Sequence, residues 1–163
     1  LMEVSFKNTP LLYPDMITNM ADVMKEILSE GIRQDIEDAR LGDNRELFDE
    51  SWIDDLIDQM SANTGKEKIP MYVLTNRKKL YGAACMLYPE VLKNFSERLG
   101  QDFYVLPSSV HEVILVPVNS EADQESLRGI VTDINRTQVA EEEILADSVY
   151  FYSRNLNKIL WLS

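Results

Sequence analysis

The chain has 163 residues, 45% of them hydrophobic and 27% charged, so it can form one ordinary domain with a core, and its composition excludes general disorder. No basic stripe offsets its formal net charge of −12 at pH 7, which argues against direct binding to nucleic acid or to an anionic membrane. One cysteine, Cys85, supports neither an internal disulfide nor a multi-thiolate zinc site, and no signal peptide is visible at the start, so we expect a cytoplasmic location.

The negative charge is concentrated in the first part of the chain. Residues 1–64 hold 15 acidic and 5 basic residues, a net of −10, whereas residues 65–163 hold 13 acidic and 11 basic residues, a net of −2. We therefore predict an acidic helical segment over residues 1–64, able to pack on the main domain, and an α+β domain over residues 65–163.

Two helices are predicted in the acidic segment. In "PDMITNMADVMKEILSEG", apolar residues recur at three- and four-residue steps, with Met16, Met20 and Met24 four residues apart. In "NRELFDESWIDDLIDQMSANTG", the carboxylates fall largely off the apolar stripe, which is typical of a solvated helix face and lacks the spacing of a calcium loop. We interpret the methionines as ordinary core, with an adaptable protein-binding surface as the alternative.

From Ile69 onward the apolar period changes to that of strands. "PMYVLTN" and "LYGAACMLY" predict a β-hairpin around the polar "RKK", with Cys85 as a small buried hydrophobe in its second strand. "PEVLKNFSERLG" predicts a helix that ends at Gly100, and "DFYVL" and "VHEVILVPV" predict two further strands.

The last third of the chain continues the same alternation. Ser120 and Asp123 resemble a capping box before a helix with Leu127 on its apolar face, and "SVYFYS" and "KILWL" predict a closing hairpin. This order predicts an α+β fold, mainly an antiparallel sheet with helices on one face, preceded by the acidic helical segment.

One polar cluster stands out, because "LPSSVHEVILVP" holds the only histidine of the chain. If Val110 to Val118 is a strand buried on both faces, Ser109 and His111 share a face, about 6.6 Å apart, and Glu112 points the other way. That separation exceeds hydrogen-bond reach between a nucleophile and its base. We therefore interpret Ser108 and Ser109 as partners of backbone groups in a turn, and His111 and Glu112 as anchors at the start of the strand.

The alternative is a hydrolase or small-ligand-binding protein that uses Ser108, Ser109, His111 and Glu112. In that reading Ser109, His111 and Glu112 are the catalytic candidates, and Asn76 and Ser108 are the ligand-binding candidates. No cofactor is expected, and no metal site, since a lone histidine is insufficient for one.

Four segments carry a resemblance to a known family. They are "NTPLLYP", "MYVLTNRKKLYGAACMLY", "DFYVLPSSVHEVILVP" and the tail "ILADSVYFYSRNLNKIL". Together they resemble an uncharacterised bacterial family, a domain of unknown function common in gut-dwelling anaerobes. The resemblance implies one evolutionary unit and a fragment of a longer protein, and it implies no catalytic residue.

These observations favour a non-enzymatic cytoplasmic interaction or regulatory module over an enzyme. Its protein partner is expected on the acidic helices, and its oligomeric state is open. A lesser alternative is an acidic DNA mimic, which would need carboxylates at the spacing of phosphates.

Overall fold

A computed structural model describes residues 2–23, 26, 27, 30, 70–107, 109–118, 127–129, 132, 135, 136 and 139–161. The chain divides into two compact units, one made of Leu1–Asn19 with Ile69–Ser163 and the other of Met20–Lys68. In the second unit, residues 20–23, 26, 27 and 30 are helical. The second predicted helix, Met24 and the predicted capping box lie outside the described residues, so the boundary at residues 64 and 65 stays a prediction.

The first unit is built around one sheet. Its elements are α1 (Met2–Leu12), β1 (Asp15–Asn19), β2 (Tyr72–Asn76), a first 3₁₀ helix (Gly82–Leu87), α2 (Val91–Leu99), β3 (Phe103–Leu106), β4 (Val113–Pro117), a second 3₁₀ helix (Glu141–Glu143), β5 (Tyr150–Ser153) and β6 (Lys158–Trp161). The strands form a six-stranded sheet in the order β1-β2-β4-β3-β5-β6, and each neighbouring pair is antiparallel. The α+β class with an antiparallel sheet is confirmed.

One hydrophobic cluster of the core joins the sheet, α2 and the first 3₁₀ helix. The Phe95 ring of α2 makes edge contacts with Tyr72 of β2 and Phe103 of β3, at centroid distances of 5.2 and 5.0 Å. Phe103 also stacks on Tyr152 of β5 at 4.8 Å. All five residues of β4 are buried, which confirms a central strand covered on both faces. That helices cover one face only stays a prediction.

Residues 15–19 form a strand, so the helix predicted through Met16 and Ile17 is wrong there. β1 pairs with β2 along its whole length, placing Met16 opposite Thr75 and Ile17 opposite Leu74, and Ile17 packs against the core. Tertiary pairing along the edge of β2 overrides the local helical period. The methionine stripe is lost, because Met16 belongs to a strand.

The predicted hairpin between "PMYVLTN" and "LYGAACMLY" is wrong in its second half, which is the first 3₁₀ helix. Gly82 lies so close to β2 that an added Cβ would stand 2.0 Å from Thr75 Oγ1 and 2.5 Å from the carbonyl oxygen of His111. The small residues thus permit a close approach of backbone to backbone, as Gly and Ala do at crowded positions. Cys85 is buried as expected, in a helix instead of a strand.

The predicted helix before Gly100 and the predicted closing hairpin agree with the structure. Helix α2 ends at Gly100, which has a left-handed φ of 78° and whose N–H bonds to the carbonyl of Ser96. Strands β5 and β6 form the closing hairpin across residues 154–157, where the Tyr152 hydroxyl bonds to the Asn157 side chain.

Candidate functional site

The polar cluster around His111 lies before β4 and not on it. β4 begins at Val113, so the prediction of one strand from Val110 to Val118 is wrong over its first three residues. The reason is where the backbone of Val110 bonds: its N–H donates to the carbonyl of Glu143 (2.9 Å) and its carbonyl accepts from Ala83 N–H (3.2 Å). These partners lie on the two 3₁₀ helices, so the segment leaves the ladder of the sheet.

The imidazole of His111 joins two distant segments. Its Nδ1 accepts a hydrogen bond from the backbone N–H of Tyr81 at 3.1 Å, and its Nε2 lies 3.2 Å from Oε1 of Glu143. A backbone amide can only donate, so Nδ1 is the unprotonated nitrogen of the neutral ring. Nε2 therefore carries the hydrogen and donates it to the carboxylate. The Tyr81 and His111 rings are tilted by 33° at a centroid distance of 5.4 Å.

The backbone of the same segment is held from the other side. Thr75 Oγ1 donates to the carbonyl of His111 at 2.8 Å, and His111 N–H donates to Ser109 Oγ at 3.0 Å. Ser109 also forms an isolated antiparallel bridge with Ile144. Strand β2, the entry to β4 and the second 3₁₀ helix thus meet at His111, where hydrogen bonds hold both the ring and the backbone.

This geometry differs from that of a nucleophile and its base. The Ser109 hydroxyl is engaged by the main chain of His111, and the acceptor nitrogen of the ring is engaged by Tyr81. Glu143 bonds the ring, whereas Glu112 is exposed. A serine hydrolase instead needs the acceptor nitrogen aimed at the hydroxyl, with an acid on the other ring nitrogen. The described contacts hold the ring and the backbone of His111 in place, which is a structural role. Catalytic roles for Ser109, His111 and Glu112 stay predictions.

Asn76, predicted as a ligand-binding residue, organises the turn that follows β2. Its Nδ2 donates to the carbonyl of Leu80 at 2.7 Å, and its Oδ1 accepts from the N–H groups of Lys78 and Leu80 at 2.9 and 3.4 Å. Asn76 is 3% exposed, so these bonds occupy a buried amide. Ser108, the other ligand-binding candidate, lies outside the described residues.

The turn held by Asn76 and His111 is strained. Lys79 and Tyr81 have left-handed φ angles of 53° and 50°, on either side of Leu80. A non-glycine residue in this region costs roughly 1–2 kcal/mol. Despite this cost the turn carries its apolar side chains outward, since Leu80 is 50% and Tyr81 66% exposed.

The segment around Tyr13 adds an aromatic group beside this turn. Arg77 N–H donates to the carbonyl of Pro14 at 3.1 Å, and Lys78 Nζ lies 4.6 Å from the centroid of the Tyr13 ring. The Tyr88 hydroxyl donates to the carbonyl of Tyr13 at 3.2 Å. We call the exposed set the turn surface; it consists of Tyr13, Arg77, Lys78, Lys79, Leu80 and Tyr81.

Beneath the turn surface, Cys85 and Tyr88 are buried. Burial raises the pKa of the Cys85 thiol, and it raises the pKa of the Tyr88 phenol to about 12. A thiol is nucleophilic only as the thiolate, so Cys85 is inert near neutral pH, as its sequence context predicted.

Sequence reasoning found His111 and Asn76 but missed Tyr81, Glu143 and Thr75. Tyr81 and Glu143 lie 30 and 32 residues from His111, so only the fold brings them to it. The run Glu141–Glu143 was the sequence signal for Glu143, because consecutive carboxylates usually either face solvent or pair with another group.

Within the described ranges, no three His, Cys, Asp or Glu side chains come together in a way that could hold a metal ion. Among the helices of those same ranges, none has the length and apolar character needed to cross a membrane.

Comparison with known proteins identifies one family. The sequence model described as a family of unknown function (DUF5688) matches residues 1–154. No curated protein and no solved structure matches the chain. The match covers all of the elements described above except β6, which begins at Lys158.

Proposed function

The chain belongs to the family of unknown function DUF5688, and from its geometry we propose that it is a non-enzymatic interaction or regulatory module that binds a protein partner through the turn surface. The observation that carries this proposal is the fixed outward presentation of Leu80 and Tyr81. Two large apolar side chains stay exposed on a turn whose backbone is strained and hydrogen-bonded at several points.

Strain at an exposed turn supports a functional role more than a structural one. Left-handed Lys79 and Tyr81 destabilise the fold, and the side chains of Leu80 and Tyr81 recover little of that loss because they are largely exposed. A backbone that is already fixed loses less conformational entropy on binding, so a rigid turn favours affinity.

The polar cluster supports the same proposal from within the scaffold. His111 fixes Tyr81 at the end of the turn, and Asn76 fixes Leu80 in its middle. The two residues that the sequence offered as a catalytic base and a ligand-binding amide thus act, in this proposal, as supports for the surface. The hydrolase alternative through Ser108, Ser109, His111 and Glu112 remains a hypothesis that the activity panel described in the Discussion tests.

Two further parts of the proposal rest on the sequence. We propose that the part of the acidic segment that follows β1, up to residue 64, provides a second partner surface, which the net charge of −10 over residues 1–64 supports, with an acidic DNA mimic as the lesser alternative. We also propose a bacterial, cytoplasmic protein, which the low cysteine content supports.

Site-specific photo-crosslinking tests the role of the turn surface. A photo-reactive phenylalanine derivative at Tyr81 should trap a discrete partner in the native cell, whereas the same group at Leu156, which is 59% exposed in the β5–β6 turn, should not. Equal adducts at the two positions, or no adduct at Tyr81, would contradict the proposal.

A further inference from the structure

We infer that the turn surface binds an acidic peptide segment that carries leucine or aromatic side chains and belongs to another protein. This inference rests on the proposed function and adds the chemical class of the partner. It follows from the charge and the apolar character of the same few residues.

The local charge of the turn is opposite to that of the rest of the chain. The unit formed by residues 1–19 and 69–163 has 14 acidic and 10 basic residues, a net of −4, and three of those ten basic residues are the consecutive Arg77, Lys78 and Lys79. All three are exposed. Asp15, which pairs with Asn76, is an exposed acidic residue at this end of β2. Carboxylates on a partner would be attracted to these residues, whereas the net charge of the whole chain opposes their binding.

The apolar residues are interleaved with these cations. Lys78 lies over the Tyr13 ring, so one cation borders an aromatic group that is 37% exposed. Leu80 and Tyr81 follow directly, with exposures of 50% and 66%. A partner that satisfies both kinds of group needs alternating carboxylates and apolar anchors, which a short acidic peptide with leucine or aromatic residues provides.

A nucleic acid fits these groups less well than a peptide. It carries about one negative charge per nucleotide, so a chain with a net charge of −12 would repel it strongly. A peptide needs only the two or three carboxylates that meet Arg77 and Lys78.

Peptide display against the full chain tests this inference. Peptides selected on the wild type should be acidic and contain leucine or aromatic residues, and they should bind the double variant Arg77→Glu/Lys78→Glu at least about ten-fold more weakly. The control variant Arg98→Glu/Lys158→Glu makes the same change in net charge at two exposed residues outside the turn surface and should bind as the wild type does. Matching melting temperatures of the three proteins establish that each is folded.

The outcomes separate the inference from the proposed function. If the selected peptides lack negative charge, or bind Arg77→Glu/Lys78→Glu as tightly as the wild type, an acidic partner is excluded. If those peptides nevertheless bind the variant Leu80→Ser/Tyr81→Ser more weakly than the wild type, the turn surface is still a binding surface. The proposed function then stands, and only the acidic class of the partner is wrong. If no peptide is selected, the peptide inference fails, and the photo-crosslink at Tyr81 decides separately whether the interaction module stands. Tighter binding of a fluorescent 20-nucleotide single-stranded DNA would overturn the inference in favour of a nucleic acid.

Discussion

The backbone N–H of Tyr81 donates a hydrogen bond to Nδ1 of His111, thirty residues further along the chain, at 3.1 Å. Tyr81 is the left-handed residue that precedes the first 3₁₀ helix, and Nε2 of the same ring faces Glu143. The His111 side chain therefore holds the last residue of the strained turn in place and links it to the second 3₁₀ helix. Protonating Nδ1 would place two N–H groups against each other and break the first of these bonds.

The tautomer of His111 is the most direct prediction of this geometry. In the neutral ring of the folded protein, Nδ1 should be unprotonated and Nε2 should carry the hydrogen, because the first accepts from an amide and the second donates to a carboxylate. Long-range ¹H–¹⁵N spectra of the uniformly labelled protein measure this without ambiguity, since His111 is the only histidine. A ring with hydrogen on Nδ1 would contradict the hydrogen bond from the Tyr81 N–H to Nδ1 of His111.

Substitutions at His111 separate a structural role from a catalytic one. Glutamine can both accept from Tyr81 and donate to Glu143, so His111→Gln should retain most of the stability, whereas His111→Ala removes both hydrogen bonds from partners that water reaches and should cost about 0.5–1.5 kcal/mol. Denaturant unfolding measures the difference.

The same variant tests the hydrolase alternative. The wild type and His111→Gln should be assayed together with esterase, peptidase and phosphatase substrates. We expect no activity that the wild type shows and His111→Gln lacks. A reproducible activity lost by roughly 10²- to 10⁴-fold in a stable His111→Gln protein would instead identify His111 as a general base.

Gly82 should not tolerate a side chain. In Gly82→Ala the new Cβ would stand 2.5 Å from the carbonyl oxygen of His111 and 2.7 Å from the backbone nitrogen of Asn76, so backbone must move, at an expected cost of about 3 kcal/mol or more. Gly129→Ala is the matched control, because Gly129 is helical and nothing lies within 4 Å of its added Cβ. That control should be neutral or stabilise by up to about 1 kcal/mol. Similar melting temperatures for the two variants would refute the close approach.

The aromatic core should depend strongly on Phe103, which is fully buried and contacts both Phe95 and Tyr152. Phe103→Ala should lower the free energy of unfolding by about 3–5 kcal/mol, as large-to-small changes in cores do. Leu160→Ala, at a residue 38% exposed on β6, should cost less than about 1.5 kcal/mol. Equal losses in urea unfolding would mean that the core is not centred on this cluster.

The raised pKa of Tyr88 predicts that the protein loses stability at alkaline pH. Burial raises its pKa from an ordinary value of 10.0 to about 12, so the folded state favours the neutral phenol. That stabilisation is fully present below pH 10 and is lost as the pH rises through about 12. The free energy of unfolding of the wild type should therefore fall relative to Tyr88→Phe by up to roughly 3 kcal/mol over this window. Parallel pH dependences of the two proteins would contradict this.

Local patterns predicted the elements whose partners are near in sequence. Helix α2 was predictable because its apolar face and Gly100 lie within one short segment, and the β5–β6 hairpin because its turn joins adjacent strands. β1 was not predictable, because the spacing of its methionine and isoleucine fits a helix. Its pairing with the edge of β2, which the local sequence does not show, makes it a strand. The first 3₁₀ helix was missed because four small residues after a turn fit a strand equally well, and the approach of Gly82 to β2 decides between them.

The candidate site was predictable only as residue types. A histidine beside polar residues indicated hydrogen bonding at the start of a strand, and His111 does bond there. Its partners Tyr81 and Glu143 come from elements whose placement depends on the sheet, so no local pattern could name them. The turn surface was invisible for a related reason: the sequence "RKKLY" does not show that Lys79 and Tyr81 adopt left-handed backbone angles.

The pairing of β1 with β2 also has a consequence for how the molecule folds. Asn19 lies opposite Tyr72, so this edge of the sheet closes a connection that runs from residue 20 to residue 71. Closing roughly 50 residues instead of a four-residue turn costs about 2 kcal/mol more chain entropy, at about 0.6 kcal/mol per doubling of length. The β5–β6 hairpin closes across residues 154–157 and carries no such penalty. We therefore expect β1 to join the sheet late, and its amides to gain protection in pulse-labelling hydrogen exchange after those of β5 and β6.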